Sequence, residues 1–180
     1  NNEIGKPHYY KVEFENEIKT EMSPTERGVH IRFSFPKSKD SYVVLDGYTG
    51  LSGVKIYPES RTVTGFVSNG RMVGDLINYF VIKFDQPFLN TGLWENRNGK
   101  RWEDKLKSEG KGISAYFKFA PGQEVQAKVA SSYISLEQAE LNLERELEGF
   151  DSLEQTREAA RETWNKQLGK IVVEGGSEEQ

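Results

Sequence analysis

The sequence contains no cysteine among its 180 residues, which excludes disulfides, thiolate metal sites and cysteine nucleophiles. It also lacks any apolar run approaching the ~20 residues that a membrane-spanning helix needs. Basic residues are in deficit, because 24 Lys and Arg stand against 28 Asp and Glu for a net charge of −4. A strongly basic surface for nucleic-acid phosphates is therefore missing. These absences predict neither nucleic acid nor membrane as a partner, while the length allows a sizeable core.

Histidine is scarce as well, and neither of the two copies suggests catalysis. His8 follows a proline at the start of a strand, and His30 falls on the polar face of a strand. Neither lies at metal-ligand spacing from another histidine, and no serine stands in the Gly-x-Ser-x-Gly sequence of a nucleophile elbow. We interpret both as surface or sheet-face imidazoles, and we predict no catalytic residue and no metal ligand in this chain.

Acidic side chains are plentiful, yet they suggest no catalytic pair. Three of them share one face of a predicted helix, the usual pattern of a solvated face: Glu137, Glu140 and Glu144. Three others lie near strand ends, where burial could raise a pKa: Glu21, Glu26 and Asp46. A glycosidase needs two carboxyl groups set ~5 to 10 Å apart, and the sequence alone places no such pair.

Residues 8–134 show the period of two that is typical of half-buried strands. In the clearest case Val29, Ile31 and Phe33 alternate with His30 and Arg32. Nine segments show this pattern, with Gly, Pro, Asn and Ser in the turns between them: 10–14, 18–22, 29–35, 42–46, 54–57, 62–67, 79–85, 113–119 and 125–133. The chain is predicted to be mainly β, an antiparallel sandwich filled by aromatic rings.

From Ser135 onward the period becomes helical. Ser135 and Ser152 are each followed three residues later by glutamine, which predicts two helix starts, and Gly149 and Gly169 predict the ends. The second helix carries an apolar stripe that we expect to pack on the sandwich or on another domain, with the tryptophan in a core: Leu153, Ala160, Trp164 and Leu168. Residues 171–174 are predicted to form a strand.

One long polar stretch, 90–111, is predicted to be an insertion between two strands, and it contains Trp94 and Trp102. Two interpretations stay open. The tryptophan faces could stack on sugar C–H groups while neighbouring Asn, Arg and Glu bind hydroxyls. Alternatively, the two rings clamp a β-hairpin whose turn is Asn98-Gly99.

Three stretches resemble the N-terminal domain and linker of glycoside hydrolase family 92. Residues 21–36 (EMSPTERGVHIRFSFP) resemble a strand–turn–strand segment of that domain, and 128–144 (KVASSYISLEQAELNLE) its passage into a linker helix. Residues 164–175 (WNKQLGKIVVEG) are similar to the exit from the linker helices. The segments 2–10 and 42–46 fit too, so the matches run in order through nearly the whole chain, except for 90–111.

The resemblance implies an antiparallel β-sandwich of the galactose mutarotase-like supersandwich type, followed by two α-helices. It implies a sandwich over 1–134 whose first part precedes Asn1, linker helices over 135–170, and over 171–180 the start of the connection to an (α/α)6-barrel catalytic domain. The parent would be a calcium-dependent, inverting exo-α-mannosidase of bacterial type that acts on mannose-containing glycans, such as α-1,2-linked ones.

In that family the catalytic acid, the base and the calcium ligands belong to the barrel. This chain alone is therefore expected to hold no catalytic residue and no calcium, and to pack on the barrel and help shape the substrate pocket. The resemblance implies a periplasmic or secreted enzyme. The alternative is a stand-alone carbohydrate-binding module with Trp94 and Trp102 as substrate-binding residues.

Overall fold

The computed structural model describes residues 2–37, 40–48, 50–68, 76–96, 99, 101–103, 105–171 and 175–176. These residues form thirteen strands in two sheets, followed by two helices. All neighbouring strands run antiparallel, and the prediction of an antiparallel β-sandwich followed by two helices is confirmed.

The two sheets differ in size. The larger sheet has nine strands in the order β1 (Glu3–Lys6), β2 (Tyr9–Glu13), β3 (Lys19–Pro24), β4 (Gly28–Ser34), β13 (Glu124–Ser132), β8 (Ile77–Phe84), β7 (Thr62–Ser68), β6 (Leu51–Tyr57) and β11 (Lys107–Lys111). The smaller sheet has four strands in the order β10 (Arg101–Glu103), β9 (Asn90–Glu95), β12 (Ile113–Phe119) and β5 (Ser41–Leu45).

The main core lies between the sheets and follows from strict alternation along the strands. On β12, Ile113, Ala115, Phe117 and Phe119 point into the core and are at most 2% exposed, whereas the residues between them point outward. Phe84 of β8 meets the rings of Phe117 and Phe119 with centroids 5.4 and 5.5 Å apart. Large rings therefore fill the space between the sheets, as the aromatic content predicts.

Two helices lie on the outer face of the nine-stranded sheet. They are α1 (Leu136–Glu146) and α2 (Leu153–Leu168). A second apolar cluster forms beneath α1, where its helical spacing aligns buried side chains with those of β8 and β13: Ala139, Leu143, Leu147, Val81 and Ala130. Neither helix of the described residues is long and apolar enough to span a membrane.

The helix starts that the sequence predicts are confirmed. The Oγ of Ser135 accepts a hydrogen bond from the backbone N–H of Gln138 at 3.1 Å, and that of Ser152 accepts one from Gln155 at 3.3 Å. Gly169 is the C-cap of α2, as predicted, whereas α1 ends at Glu146, before Gly149. Most of the predicted strand over 171–174 lies outside the described residues.

Residues 90–111 do not form a polar insertion, and this prediction is wrong. They contain β9, which is an inner strand of the smaller sheet, and the edge strands β10 and β11. Edge strands need few apolar residues because one side faces solvent, and β11 pairs with β6 through a run of Lys, Ser, Glu and Gly. The polar composition of this stretch therefore did not predict its strands, because backbone hydrogen bonds stabilise them.

Candidate functional site

His30 lies on the outer face of the nine-stranded sheet, as the sheet-face interpretation predicts, but it is buried there instead of exposed at a polar surface. It is 1% exposed beneath α2, and its Nδ1 is hydrogen bonded to Oγ1 of Thr156 at 2.8 Å. Burial lowers the pKa of His30 to about 4, and the nearby charges of Lys128 and Arg32 lower it further. The imidazole is neutral at pH 7 and joins β4 to α2, which is a structural role.

Glu21, which is paired with Arg32 across β3 and β4, is also buried, but its pKa is lowered, whereas a catalytic acid needs a raised pKa. Oε1 accepts a hydrogen bond from the hydroxyl of Tyr9 at 2.6 Å, and Oε2 accepts one from Nε of Arg32 at 3.0 Å. Burial alone would raise the pKa of Glu21, but hydrogen bonds from Arg32, Tyr9 and Lys19 lower it to about 2. Arg32 also bonds Glu154 of α2 at 2.7 Å. This ionised network fixes α2 on the sheet.

The other acidic candidates do not form a catalytic pair either. Oδ1 of Asp46 accepts hydrogen bonds from the backbone of Tyr48 and from Asn96, both at 2.8 Å, and these lower the pKa of Asp46. Glu26 forms an exposed ion pair with Arg27. The acidic face of α1 is solvated, as predicted: Glu137, Glu140 and Glu144 are exposed. Within the described ranges, no three His, Asp or Glu side chains come together that could hold a metal ion.

A cleft of about 1190 Å³ lies between α1, α2 and the end of the nine-stranded sheet. Its walls include Tyr133, Ile134 and Trp164, which are 63%, 78% and 41% exposed. The prediction that Trp164 is a core residue is wrong, since every residue from 161 to 170 is exposed. Only the first half of α2, with Leu153 and Thr156 buried, packs on the sheet.

The second cavity, about 560 Å³, lies at the smaller sheet, and both Trp94 and Trp102 line it. Trp94 pairs with Arg101 across the strands and Trp102 pairs with Leu93, so the two indoles leave opposite faces of the sheet. Trp102 packs against the main core, with Nζ of Lys105 4.4 Å from its ring centroid. Sugar binding by Trp94 and Trp102 stays a prediction.

The hairpin interpretation of the same stretch is consistent with the backbone. Strands β9 and β10 pair directly, and Gly99 at the turn has a φ of +62°, a conformation that favours glycine. Asn98 lies outside the described residues.

Two aromatic side chains that share the outer face of the smaller sheet with Trp94 were not predicted from the sequence. Tyr116 of β12 lies 6.4 Å from Trp94 between ring centroids, and Tyr42 of β5 lies 5.9 Å from Tyr116. Both occupy outward positions in the alternation of their strands, which was the available signal. Their adjacency depends on the strand order, which local sequence does not reveal.

Comparison with protein families places the chain clearly. The model of the glycosyl hydrolase family 92 N-terminal domain matches residues 1–132. The model of the catalytic domain of the same family matches residues 138–180, which include α1 from its third residue and all of α2. A search of curated proteins found no match.

Solved structures agree. The family GH92 inverting mannosidase BT2199 from Bacteroides thetaiotaomicron VPI-5482 is 35% identical, with a TM-score of 0.90 over 98% of this chain. The family GH92 alpha-mannosidase BT3965 from Bacteroides thetaiotaomicron has the same fold, with a TM-score of 0.85 over 97% of this chain at 24% identity. This chain covers 24% of the first structure and 25% of the second, so it spans about a quarter of their lengths.

Proposed function

This chain belongs to glycosyl hydrolase family 92, and we propose that it is the sandwich and linker region of a mannosidase, packing on a catalytic domain through the cleft between α1 and α2. The observation that carries the proposal is the boundary between the two family models, which falls between residues 132 and 138. Residues 138–180 match the catalytic-domain model, yet the first half of α2 and all of α1 lie on the sandwich. Within this chain, the segment that matches the catalytic-domain model therefore already packs on the segment that matches the N-terminal-domain model.

The surface around the cleft supports this packing. Three large apolar side chains are exposed at the cleft, namely Tyr133, Ile134 and Trp164, and Leu168, one helical turn after Trp164, is exposed as well. Exposed apolar side chains gathered at one surface often mark an interaction site. The polar groups interspersed with them, among them Arg27 and Arg145, suit an interface between domains of one polypeptide, which is more polar than a core.

The domain division that we propose is a sandwich over 1–134, linker helices over 135–170 and the beginning of a connection to an (α/α)6-barrel over 171–180. We further propose that the catalytic acid and base belong to the barrel. An inverting glycosidase uses one carboxylic acid to protonate the leaving group and one carboxylate to activate water. Glu21 and Asp46, the best buried or hydrogen-bonded carboxylates discussed above, are held ionised by structural contacts instead.

Calcium dependence belongs to the same proposal. A calcium site needs six to eight oxygen ligands, commonly including several carboxylates. Among the described residues no three acidic or histidine side chains come together to hold a metal ion, and we propose that the calcium ligands belong to the barrel. Action on α-1,2-linked mannose in glycans, and a periplasmic or secreted location, are further parts of the proposal.

The proposal is tested by combining this chain with the catalytic domain encoded by the same gene, produced separately. We expect the two to associate, and an α-mannoside with calcium to be hydrolysed only when both are present. Trp164→Glu should weaken the association at least about tenfold, because it places a charge on the apolar surface. Lys37→Glu, on the loop after β4, is the control. Turnover by this chain alone, or association unaffected by Trp164→Glu, would overturn the proposal.

The second candidate function is a stand-alone carbohydrate-binding module, and the cavity lined by Trp94 and Trp102 favours it. The two candidates differ in what the chain does without a partner. A module binds mannobiose by itself, whereas a packing domain needs the catalytic domain for any measurable activity.

A further inference from the structure

Three aromatic side chains form a diagonal strip across the outer face of the smaller sheet: Tyr42 of β5, Tyr116 of β12 and Trp94 of β9. The rings of Trp94 and Tyr116 are 27° from parallel, with centroids 6.4 Å apart. Tyr42 meets Tyr116 edge-on at 5.9 Å and is 42% exposed. We refer to these three residues as the aromatic strip.

A glycine in the neighbouring strand makes room for the middle ring. Gly92 is paired directly with Tyr116, and a Cβ added at Gly92 would lie 2.5 Å from the ring carbon Cε1. Such a contact is too short for any other residue, so glycine allows the tyrosine ring to lie across the β9 backbone. The ring is held against the sheet between Trp94 and Tyr42.

Hydrogen bonds fix the edges of two rings. Nε1 of Trp94 donates to Oδ1 of Asn96 at 2.6 Å, and Nδ2 of Asn96 donates to Asp46 at 2.8 Å. The hydroxyl of Tyr116 donates to Oδ1 of Asn90 at 2.8 Å. The polar atom of each ring is thereby satisfied at its edge, and the rings are ordered before any ligand arrives, which reduces the entropy lost on binding.

The cavity beside the aromatic strip has a polar rim with side chains of both positive and negative charge. Arg101, Glu103 and Lys118 line it with Asn90, and Lys118 is paired with Asp40 at 3.1 Å. A strongly anionic or cationic ligand would meet a like charge here. A neutral ligand that presents many hydroxyls would find both donors and acceptors at the rim.

We infer that the aromatic strip and its polar rim form a binding site for a neutral oligosaccharide. The C–H faces of successive sugar rings lie on Trp94 and Tyr116, Tyr42 contacts the sugar ring beyond Tyr116, and hydroxyl groups reach Arg101 and Glu103. A cavity of about 560 Å³ falls within the usual size of small-ligand sites. The inference rests on the second candidate function and deepens it, because it assigns binding to the strip instead of to Trp94 with Trp102.

The three tryptophans of the chain provide the measurement. Their indole N–H signals can be followed by NMR in the ¹⁵N-labelled chain while α-linked mannobiose and mannotriose are titrated to millimolar concentration. The signal of Trp94 should shift with saturation and that of Trp164 should stay unchanged. Mannotriose should bind more tightly than mannobiose, because it can cover more of the strip.

Substitutions then separate the possible sites. Tyr42→Ala and Trp94→Ala should each weaken sugar binding about tenfold or more. Trp164→Ala is the matched control and should bind normally. Circular dichroism and unfolding curves of each variant show that the sandwich is intact.

Contrary outcomes are also distinct. Loss of binding in Trp102→Ala together with normal binding in Tyr42→Ala would overturn the strip and leave the carbohydrate-binding candidate standing. No binding of either sugar overturns both. A Trp94 signal that broadens with protein concentration in the absence of sugar would identify a protein surface as the occupant and overturn the inference.

Discussion

In both sheets, side chains alternate between the core and the outer face, but the outer faces of the two sheets have different surroundings. The outer face of the nine-stranded sheet lies beneath α1 and α2 and buries His30 and Glu21. The outer face of the four-stranded sheet has no helix over it within the described residues, and there Tyr42 and Val44 are 42% and 57% exposed. Outward polar residues are thus buried on one face, whereas outward apolar residues are exposed on the other.

The difference shows which interactions order the side chains on each face. On the covered face, buried polar groups have partners on the helix: His30 meets Thr156, and Arg32 bridges Glu21 to Glu154. Such contacts fix the position of α2 because a displaced helix would leave buried polar groups unpaired. On the uncovered face, hydrogen bonds run within the sheet and its loops and order ring edges, as between Trp94 and Asn96.

Truncating an apolar side chain should give the largest difference in unfolding free energy between the covered and the uncovered face. Leu147 after α1 is fully buried on the covered face, and Leu147→Ala should lower the free energy of unfolding by about 3 kcal/mol. Val44→Ala on the uncovered face is the control and should change it by about 0.5 kcal/mol or less. Urea denaturation measures both. Equal effects would mean that the helix does not cover the sheet in solution.

Acid should loosen the covered face first. Because the folded pKa of His30 is about 4 and its ordinary value is 6.5, the unfolded chain binds the extra proton between these pH values. Stability therefore falls as pH drops from 6.5 to 4, by about 3 kcal/mol at most. Glu21 adds to this below its ordinary pKa of 4.5, and its contribution is lost as pH falls toward 2.

Variants of the two histidines isolate this effect in unfolding curves recorded between pH 7 and pH 4. His30→Gln should flatten the decline, whereas His8→Gln should leave it intact. An unchanged decline in His30→Gln would assign the acid sensitivity to other groups.

The ion pair beneath α2 should contribute less than the apolar contacts of α1. Glu21→Gln keeps the size of the side chain but removes the charge that faces Arg32 and Lys19. We expect a loss of about 2 kcal/mol, since Arg32 keeps its contact with Glu154. Glu26→Gln, in an exposed pair, should cost about 0.5 kcal/mol or less. Thermal unfolding should show the contrast, and similar shifts in both variants would contradict it.

Removing one hydroxyl from each face gives the smallest contrast. Thr156→Val removes the hydroxyl that meets Nδ1 of buried His30 and should cost about 1 to 2 kcal/mol. Tyr116→Phe removes the bond to Asn90 on the uncovered face, where water can replace it, and should cost about 0.5 kcal/mol or less. Hydrogen exchange of α2 amides provides an independent check, because only Thr156→Val should raise their exchange rates.

Local sequence was enough to predict most of the strands and the starts of both helices, and it also suggested Trp94 as a candidate, which stays a prediction. The nine segments of period two correspond to β2 to β8, β12 and β13, and both helix N-caps occur where Ser135 and Ser152 predict them. Strands β1 and β11 were missed, whereas β9 and β10 correspond to the hairpin that was one of the two interpretations of residues 90–111. Edge strands such as β11 carry little apolar pattern because backbone hydrogen bonds, and not burial, hold them.

Alternation along the chain determined which side chains share a face, and helical spacing with its caps determined where the helices begin. These are local properties of the backbone period and of side-chain hydrogen bonding. Tertiary structure alone decided what covers each face. It buried His30 beneath Thr156, left Trp164 exposed and brought Trp94 beside Tyr116, because contacts between residues distant in sequence depend on strand order and helix placement.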